Sequence, residues 1–275
     1  MGGFDGSAAA SPSRFDATGF CETRRMGERK VMLITGGSRG IGAATARMAA
    51  GRGHDVVISF RSNAEAAEDV VAACADLGAS AVAVRAEMAI ETDVVALFDE
   101  AVDAFGSIDV VVNNAGTLQR ASRLDEFSVE RLEEVVRVNV IGAFVAAREA
   151  VRRMSTRHGG RGGAIVNVSS AASYLGSPNE YIDYAATKGA IDTMTIGLSK
   201  EVANEGIRVN AVRPGLIYTD IHELSGIEHR VDLLSPHVPM QRGGHADEVA
   251  EAILWLASDA ASYVTGTFIN TSGGR

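Results

Sequence analysis

Apolar residues gather along this chain into short unbroken runs, separated by longer stretches in which they recur every three or four positions. The runs are VMLIT from residue 31, DVVISF from 55, AVAV from 81, DVVVNN from 109, AIVNVSS from 164, IRVNAV from 207 and TFIN from 267. They do not alternate apolar with polar, which predicts strands covered on both faces, as in a parallel sheet enclosed by helices. The spacing between them predicts helices over roughly 41–52, 63–77, 91–105, 130–154, 181–204 and 246–257. Strand and helix in this alternation predict an α/β fold: a single doubly wound Rossmann-type domain over 30–275 with a seven-stranded parallel sheet. Residues 1–29 carry neither period and read as a disordered N-terminal extension. They lack the apolar centre of a secretory signal, and their acidic residues count against a transit peptide.

Composition narrows the function more than the fold. The 26 basic and 35 acidic side chains give a net charge of −9, without a basic block of the kind that neutralises nucleic-acid phosphates. No window approaches the roughly 18 uninterrupted apolar residues of a membrane span. Cys21 and Cys74 match neither a disulfide framework nor a metal-ligand spacing, so a reducing, cytoplasmic compartment is expected. Glycine stands out, at 30 of 275 residues against about 7% on average.

Part of that excess lies between the first strand and the first helix, in Thr35-Gly36-Gly37-Ser38-Arg39-Gly40-Ile41-Gly42. Glycines at 36, 40 and 42 allow a tight turn and close approach of backbone to a pyrophosphate, with the helix N-terminus favouring an anion. The second strand runs to Ser59-Phe60-Arg61-Ser62 without a carboxylate at its tip. A carboxylate there would bond a ribose 2′-hydroxyl and repel a 2′-phosphate. Arg61, Arg39 and Ser62 are therefore candidates to clamp the extra phosphate of NADP(H), preferred over NAD(H), although either arginine could equally be a solvated surface group.

Of the five tyrosines, only Tyr184 has a Lys or Arg four positions on, Lys188, one helical turn away on the same face. A phenol with a pKa near 10 needs such a cation to work as an acid/base at neutral pH. The fifth strand ends in Asn167-Val168-Ser169-Ser170, placing hydroxyls at the carboxyl end of the sheet, where ligands of doubly wound folds bind. Ser170 can there bond a carbonyl or alcohol oxygen while Tyr184 moves the proton.

These residues resemble the short-chain dehydrogenase/reductase family over essentially all of 30–275. The resemblance is carried by Thr35-Gly36-x-x-x-Gly40-x-Gly42, Asn113-Asn114-Ala115-Gly116, Ser170, Tyr184-x-x-x-Lys188 and Pro214-Gly215, in the family's order. It implies that Tyr184 is the general acid/base, that Lys188 lowers its pKa and holds the nicotinamide ribose, and that Ser170 orients the carbonyl. Asn139 would hold a water in a proton relay, though a structural kink would look the same. Asn113, Ala115 and Gly116 would line the adenosine side. Pro214, Gly215, Ile217 and Thr219 would serve the nicotinamide end, Thr219 being equally suited to cap a helix. After the third strand the family usually has Asp, where this chain has Glu87 followed by Met88. Ser170 lies 14 positions before Tyr184, one more than the commonest spacing, which leaves Ser169 and Ser173 as alternative hydroxyls. The sub-pattern Gly176-Ser177-Pro178 through Tyr181-x-x-Tyr184 looks most like sugar-dehydrogenase-like or 3-oxoacyl-reductase-like members.

The implied activity is hydride transfer between NADP(H) and a small-molecule carbonyl or secondary alcohol. A dinucleotide-binding regulatory protein and an isomerase or dehydratase on the same fold are the competing readings. The six histidines show no metal-binding spacing. Trp255 sits on an apolar helical stripe and is expected in the core or a subunit interface. The Ala-rich helices 130–154 and 181–204 are expected, from the family, to pair across a homotetramer or homodimer. Residues 220–240, with His222, Leu224, Ile227, Leu233 and Leu234, read as a partly apolar substrate lid.

Overall fold

The computed structural model of the chain describes residues 29–221, 226, 227 and 229–275. In chain order the first elements are β1 (Lys30–Ile34), α1 (Gly40–Gly51), β2 (His54–Phe60), α2 (Ala64–Asp76), β3 (Ala81–Arg85) and α3 (Glu91–Phe105). After β4 (Val110–Asn113) come α4 (Val129–Val136), a π-turn over Arg137–Gly142 and α5 (Ala143–Met154). The second half holds β5 (Gly163–Val168), α6 (Ala172–Leu175), α7 (Ile182–Glu201), β6 (Ile207–Pro214) and β7 (Ile217–Tyr218). It closes with α8 (Arg230–Leu234), β8 (Gly244–His245), α9 (Ala246–Ala257) and β9 (Phe268–Thr271). The expected extension lies outside the described residues except for Arg29, whose guanidinium bonds the Ala50 and His54 carbonyls and pairs with Asp55.

Seven strands form one sheet in the order β3-β2-β1-β4-β5-β6-β9, all parallel. The chain therefore steps outward from β1 to β3, crosses back, and resumes at β4 on the other side of β1. That reversal opens a crevice beyond the carboxyl ends of β1 and β4, the usual ligand position in such sheets. Successive strand residues point to opposite faces. Met32 and Ile34 join the core beneath α1, α2 and α9, while Val31 and Leu33 join the core beneath α3 and α5. Both layers are closed to water, which explains the absence of alternation in the strand sequences.

The stretch 130–154 is two helices joined by the π-turn, not the single helix its spacing predicts. Trp255 is 43% exposed, so it is not a core residue. Val129, Val136, Ile141, Phe144 and Ile196 are also exposed, on the α4, α5 and α7 faces where the family expectation puts a subunit contact. Among the described residues no helix is long and apolar enough to cross a membrane.

Candidate active site

The turn from β1 into α1 is built to receive an anion. Asn114 Nδ2 donates to the Thr35 and Gly36 carbonyls at 2.9 and 3.0 Å, and Thr35 Oγ1 accepts from the Asn114 and Ala115 amides, both at 3.0 Å. These bonds fix the glycine turn against the end of β4. A Cβ on Gly42 would lie 2.4 Å from the Gly36 carbonyl oxygen, so the first turn of α1 packs against the turn only because the side chain is absent. Gly40 takes φ +53 beside Thr219, a left-handed conformation that favours glycine. Arg39 occupies the N-cap without a side-chain cap bond, and the first turn of α1 holds no acidic residue. The first amides of α1 are thus left for a ligand. Ser38 completes the turn, and Ile41 lines the adjoining cavity. A nicotinamide dinucleotide's pyrophosphate fits this cradle.

At the tip of β2, Arg61 is exposed and its Nε lies 2.7 Å from Glu87 Oε2. Glu87 is thus the ion-pair partner of Arg61. Ser62 is exposed beside Arg61, and Arg39 is exposed at the head of α1. Asn113 and Met88 turn their side chains inward. The Asn113 side chain is buried and donates to the Ala143 carbonyl at 3.0 Å, so Asn114, not Asn113, faces the cavity. The Met88 side chain packs into the core with α3 and α5.

Ser170, Tyr184 and Lys188 do come together. Ser170 and Tyr184 both line one cavity, and Ser170 favours the ionised form of the Tyr184 phenol. Ser169 is instead buried, with its Oγ donating to the Lys188 carbonyl at 3.2 Å, and Ser173 does not line the cavity. In the loop after α6, between Ser170 and Tyr184, Gly176, Ser177 and Asn179 have φ values of 76, 43 and 63°. Lys188 is buried, donates Nζ to the Val168 carbonyl at 2.8 Å, and lies 5.5 Å from the Tyr184 ring centroid. Burial pushes the Tyr184 phenol up to about 12, against the lowering effect of Ser170. Burial likewise pushes Lys188 down to about 8, against the raising effect of Asp192. In this arrangement the Lys188 ammonium is directed to a backbone carbonyl, and burial is the largest influence on both groups.

Asn139 sits on the π-turn, a helix defect often found at functional sites. Its Oδ1 accepts from the Thr117 amide at 2.7 Å, while Nδ2 donates to the Thr117 carbonyl at 2.9 Å and to Thr187 Oγ1 at 3.3 Å. The side chain is therefore committed to tying the loop after β4 to α7. Gly116 lies within this tie: a Cβ there would be 3.4 Å from Asn139 Oδ1 and 3.6 Å from Lys188 Nζ. Pro214, Gly215, Ile217 and Thr219 line, together with Ser170, Tyr184 and Lys188, a cavity of about 430 Å³.

Two ion pairs beside Tyr184 were not expected from the sequence. Arg131 of α4 clamps Asp183 through Nε at 2.7 Å and Nη2 at 3.2 Å, and Asp183 Oδ1 accepts from the Tyr184 amide at 2.9 Å. Arg230 of α8 clamps Glu180 in the same two-pronged manner. The partners are 52 and 50 residues apart, so no local pattern announces them. Of the expected lid, Ile221, Arg230 and Leu234 line the cavity, whereas His222 and Leu224 lie outside the described residues.

A family profile described as Enoyl-(Acyl carrier protein) reductase matches residues 36–275. The chain is 51% identical over 245 residues to Uncharacterized oxidoreductase YgfF of Escherichia coli, covering 89% of this chain and 99% of that protein. The chain belongs to the short-chain dehydrogenase/reductase family. It is accordingly an oxidoreductase that uses a nicotinamide dinucleotide. Among solved structures, a short-chain dehydrogenase from Burkholderia cenocepacia in complex with NADP superposes with TM-score 0.82 at 35% identity, over 89% of this chain and 97% of the other. A 3-ketoacyl-(acyl-carrier-protein) reductase from Brucella melitensis complexed with NADH also gives 0.82, at 34% identity over 90% and 98% of the two chains. Relatives of this fold thus bind either dinucleotide.

Proposed function

We propose that this chain is an NADP(H)-dependent reductase of carbonyl compounds, and dehydrogenase of the matching secondary alcohols, with Tyr184 as general acid/base. The observation that carries the reading is the convergence of Ser170, Tyr184 and Lys188 on one cavity. A substrate oxygen at that point meets two hydroxyl groups. In reduction, Tyr184 gives its proton to the oxygen as negative charge develops there, while the Ser170 hydroxyl donates a hydrogen bond to the same atom. In oxidation, the phenolate takes the alcohol proton. A bound nicotinamide supplies the hydride to the carbonyl carbon or accepts it from the alcohol carbon. The phenol at about 12 is protonated at neutral pH and so is ready to act as the acid. Asn139 and the Arg131–Asp183 pair act as positioning residues, holding the β4 loop and the start of α7. The reading is tested by following NADPH loss with a panel of ketones and aldehydes. At least one is expected to be turned over, and no turnover across a chemically broad panel would contradict it.

The cradle residues Gly36, Gly40 and Gly42 would hold the pyrophosphate, Lys188 the nicotinamide ribose, and Arg39, Arg61 and Ser62 the 2′-phosphate. Arg61→Ala is expected to weaken NADPH binding about fivefold, the equivalent of ~1 kcal/mol for one exposed charged contact, and to leave NADH nearly unchanged. Fluorescence titration with both cofactors checks this, and an equal loss for both would remove Arg61 from the phosphate site.

Lys188 supplies the pH dependence. Its folded-state pKa is depressed to about 8, so the ammonium that would hold the ribose hydroxyls is present at neutral pH and lost as pH rises through about 8. The value of kcat/KM for NADPH, which reports groups on the free enzyme, is expected to fall across that range. A profile without an inflection near pH 8 would exclude this role for the ammonium.

A further inference from the structure

The cavity has a charged wall that proton transfer leaves unused. Glu180 and Arg230 both line it. Arg230 Nη1 lies 2.8 Å from Glu180 Oε1 and Nη2 lies 2.6 Å from Oε2, a bidentate pair. The Arg230 side chain is 7% exposed and that of Glu180 is 30% exposed, so a substrate meets the acid and not the base. The guanidinium also lies 5.1 Å from the Tyr181 ring centroid, and the Glu180 carbonyl accepts from the Ser122 amide at 3.1 Å. Ser177 and Asn179, just before Glu180, hold left-handed backbone at φ 43 and 63°. Such strain costs on the order of 1–3 kcal/mol per residue and persists only where the surroundings enforce it. Glu180 is therefore held in place by its own backbone, by α8 and by the loop carrying Ser122.

The rest of the wall sets the contrast. Leu118, Leu175, Pro178, Leu216 and Leu234 make it largely apolar, and Glu180 is the only carboxylate side chain among the described lining residues. Of the lining cations, Lys188 is bonded to the Val168 carbonyl, while Arg275 stands at the end of the chain, its carbonyl held by Tyr174 and Ser272.

We propose that Glu180, by capping Arg230, determines substrate specificity: the pocket takes neutral, mainly apolar carbonyl compounds or alcohols and rejects those with a carboxylate at the far end. The inference rests on the carbonyl-reductase reading of the same site. A substrate carboxylate must desolvate against a like charge. Removing the charge of Glu180 inverts this preference. A glutamine keeps one oxygen for Arg230 but leaves a buried guanidinium uncompensated, and a substrate carboxylate then supplies the missing charge in a bidentate pair.

The test uses a cyclohexanone that bears a carboxylate across the ring from the carbonyl, and the methyl ester of the same compound. Dissociation constants are measured by calorimetry on the NADPH-loaded chain, with kcat/KM alongside, for wild type, Glu180→Gln and the double variant Glu180→Gln/Arg230→Gln. Wild type is expected to prefer the ester. Glu180→Gln should move the acid-to-ester ratio toward the acid by about tenfold or more, and the double variant should remove that gain. A ratio that moves less than about twofold, a wild type that prefers the acid, or no binding of either compound to any form would overturn the proposal. Turnover with an unmoved ratio contradicts this inference alone, and a moved ratio without NADPH oxidation contradicts the reductase reading alone.

Discussion

Replacing Tyr184 with phenylalanine is expected to lower kcat for carbonyl reduction by ~10³-fold, the scale of a lost general acid. NADPH affinity should stay within about twofold, because the ring and its packing beside Lys188 survive and only the hydroxyl is removed. The fold should survive too. Losing the hydrogen bonding of one hydroxyl costs about 1 kcal/mol, a small part of the roughly 5–15 kcal/mol that holds a domain together. Steady-state kinetics, fluorescence titration and a thermal melt on the same preparation separate these effects. Turnover within tenfold of wild type would mean that another group moves the proton. Loss of NADPH binding together with turnover would mean that the phenol serves the cofactor and not the chemistry.

Gly42→Ala carries the second large effect, on binding. Alanine is normally the better helix former, by about 1 kcal/mol. Here the added methyl would stand 2.4 Å from the Gly36 carbonyl oxygen and 2.8 Å from Asn114 Nδ2, and a carbonyl oxygen cannot rotate away as a flexible side chain would. Overpacking of this kind costs about 1–3 kcal/mol, so the clash outweighs the propensity gain. The relaxation open to the chain is to push the glycine turn away from α1, which spoils the anion cradle. NADPH affinity is expected to fall by about tenfold or more, with a melting temperature several degrees lower. Gly51→Ala is the control: at the other end of α1, an added Cβ there comes no nearer than 4.0 Å to a neighbour, so NADPH binding should be unchanged. Unaltered NADPH binding by Gly42→Ala would show that the turn does not hold the dinucleotide.

What could be read from the sequence follows physical range. The seven strands were legible because each is buried on both faces, and continuous burial writes itself into consecutive residues. β7 and β8 are two residues each and too short to express a period. The break between α4 and α5 was hidden because a π-turn inserts one residue into an apolar spacing that otherwise continues. Its traces are Asn139, an awkward helix residue, and Gly142, whose Cβ would meet the Met88 carbonyl oxygen at 2.4 Å.

Site residues divide in the same way. Glycine turn, Ser170, Tyr184 and Lys188 were legible because strand ends and one helical turn bring them together by local geometry. Arg61 read as free because its partner, Glu87, becomes a neighbour only when β2 and β3 pair with Phe60 opposite Arg85. Asn113 is the last residue of β4 and Asn114 opens the loop after it, so their side chains part there, one to the Ala143 carbonyl and the other to the glycine turn. The Arg131–Asp183 and Arg230–Glu180 clamps left no trace in the sequence, as each joins elements about 50 residues apart. The acidic net charge of −9 also told nothing about the site, where local guanidinium and amide groups face the proposed anion.

The most direct measurement is the stoichiometry of a single reaction mixture. With wild-type protein, NADPH and a ketone that is turned over, alcohol formed and NADPH consumed are to be quantified together. Hydride transfer with Tyr184 as proton donor predicts one alcohol for each NADPH lost. Product that accumulates while NADPH stays constant would contradict the account, and would assign the chain to isomerisation or dehydration on the same fold.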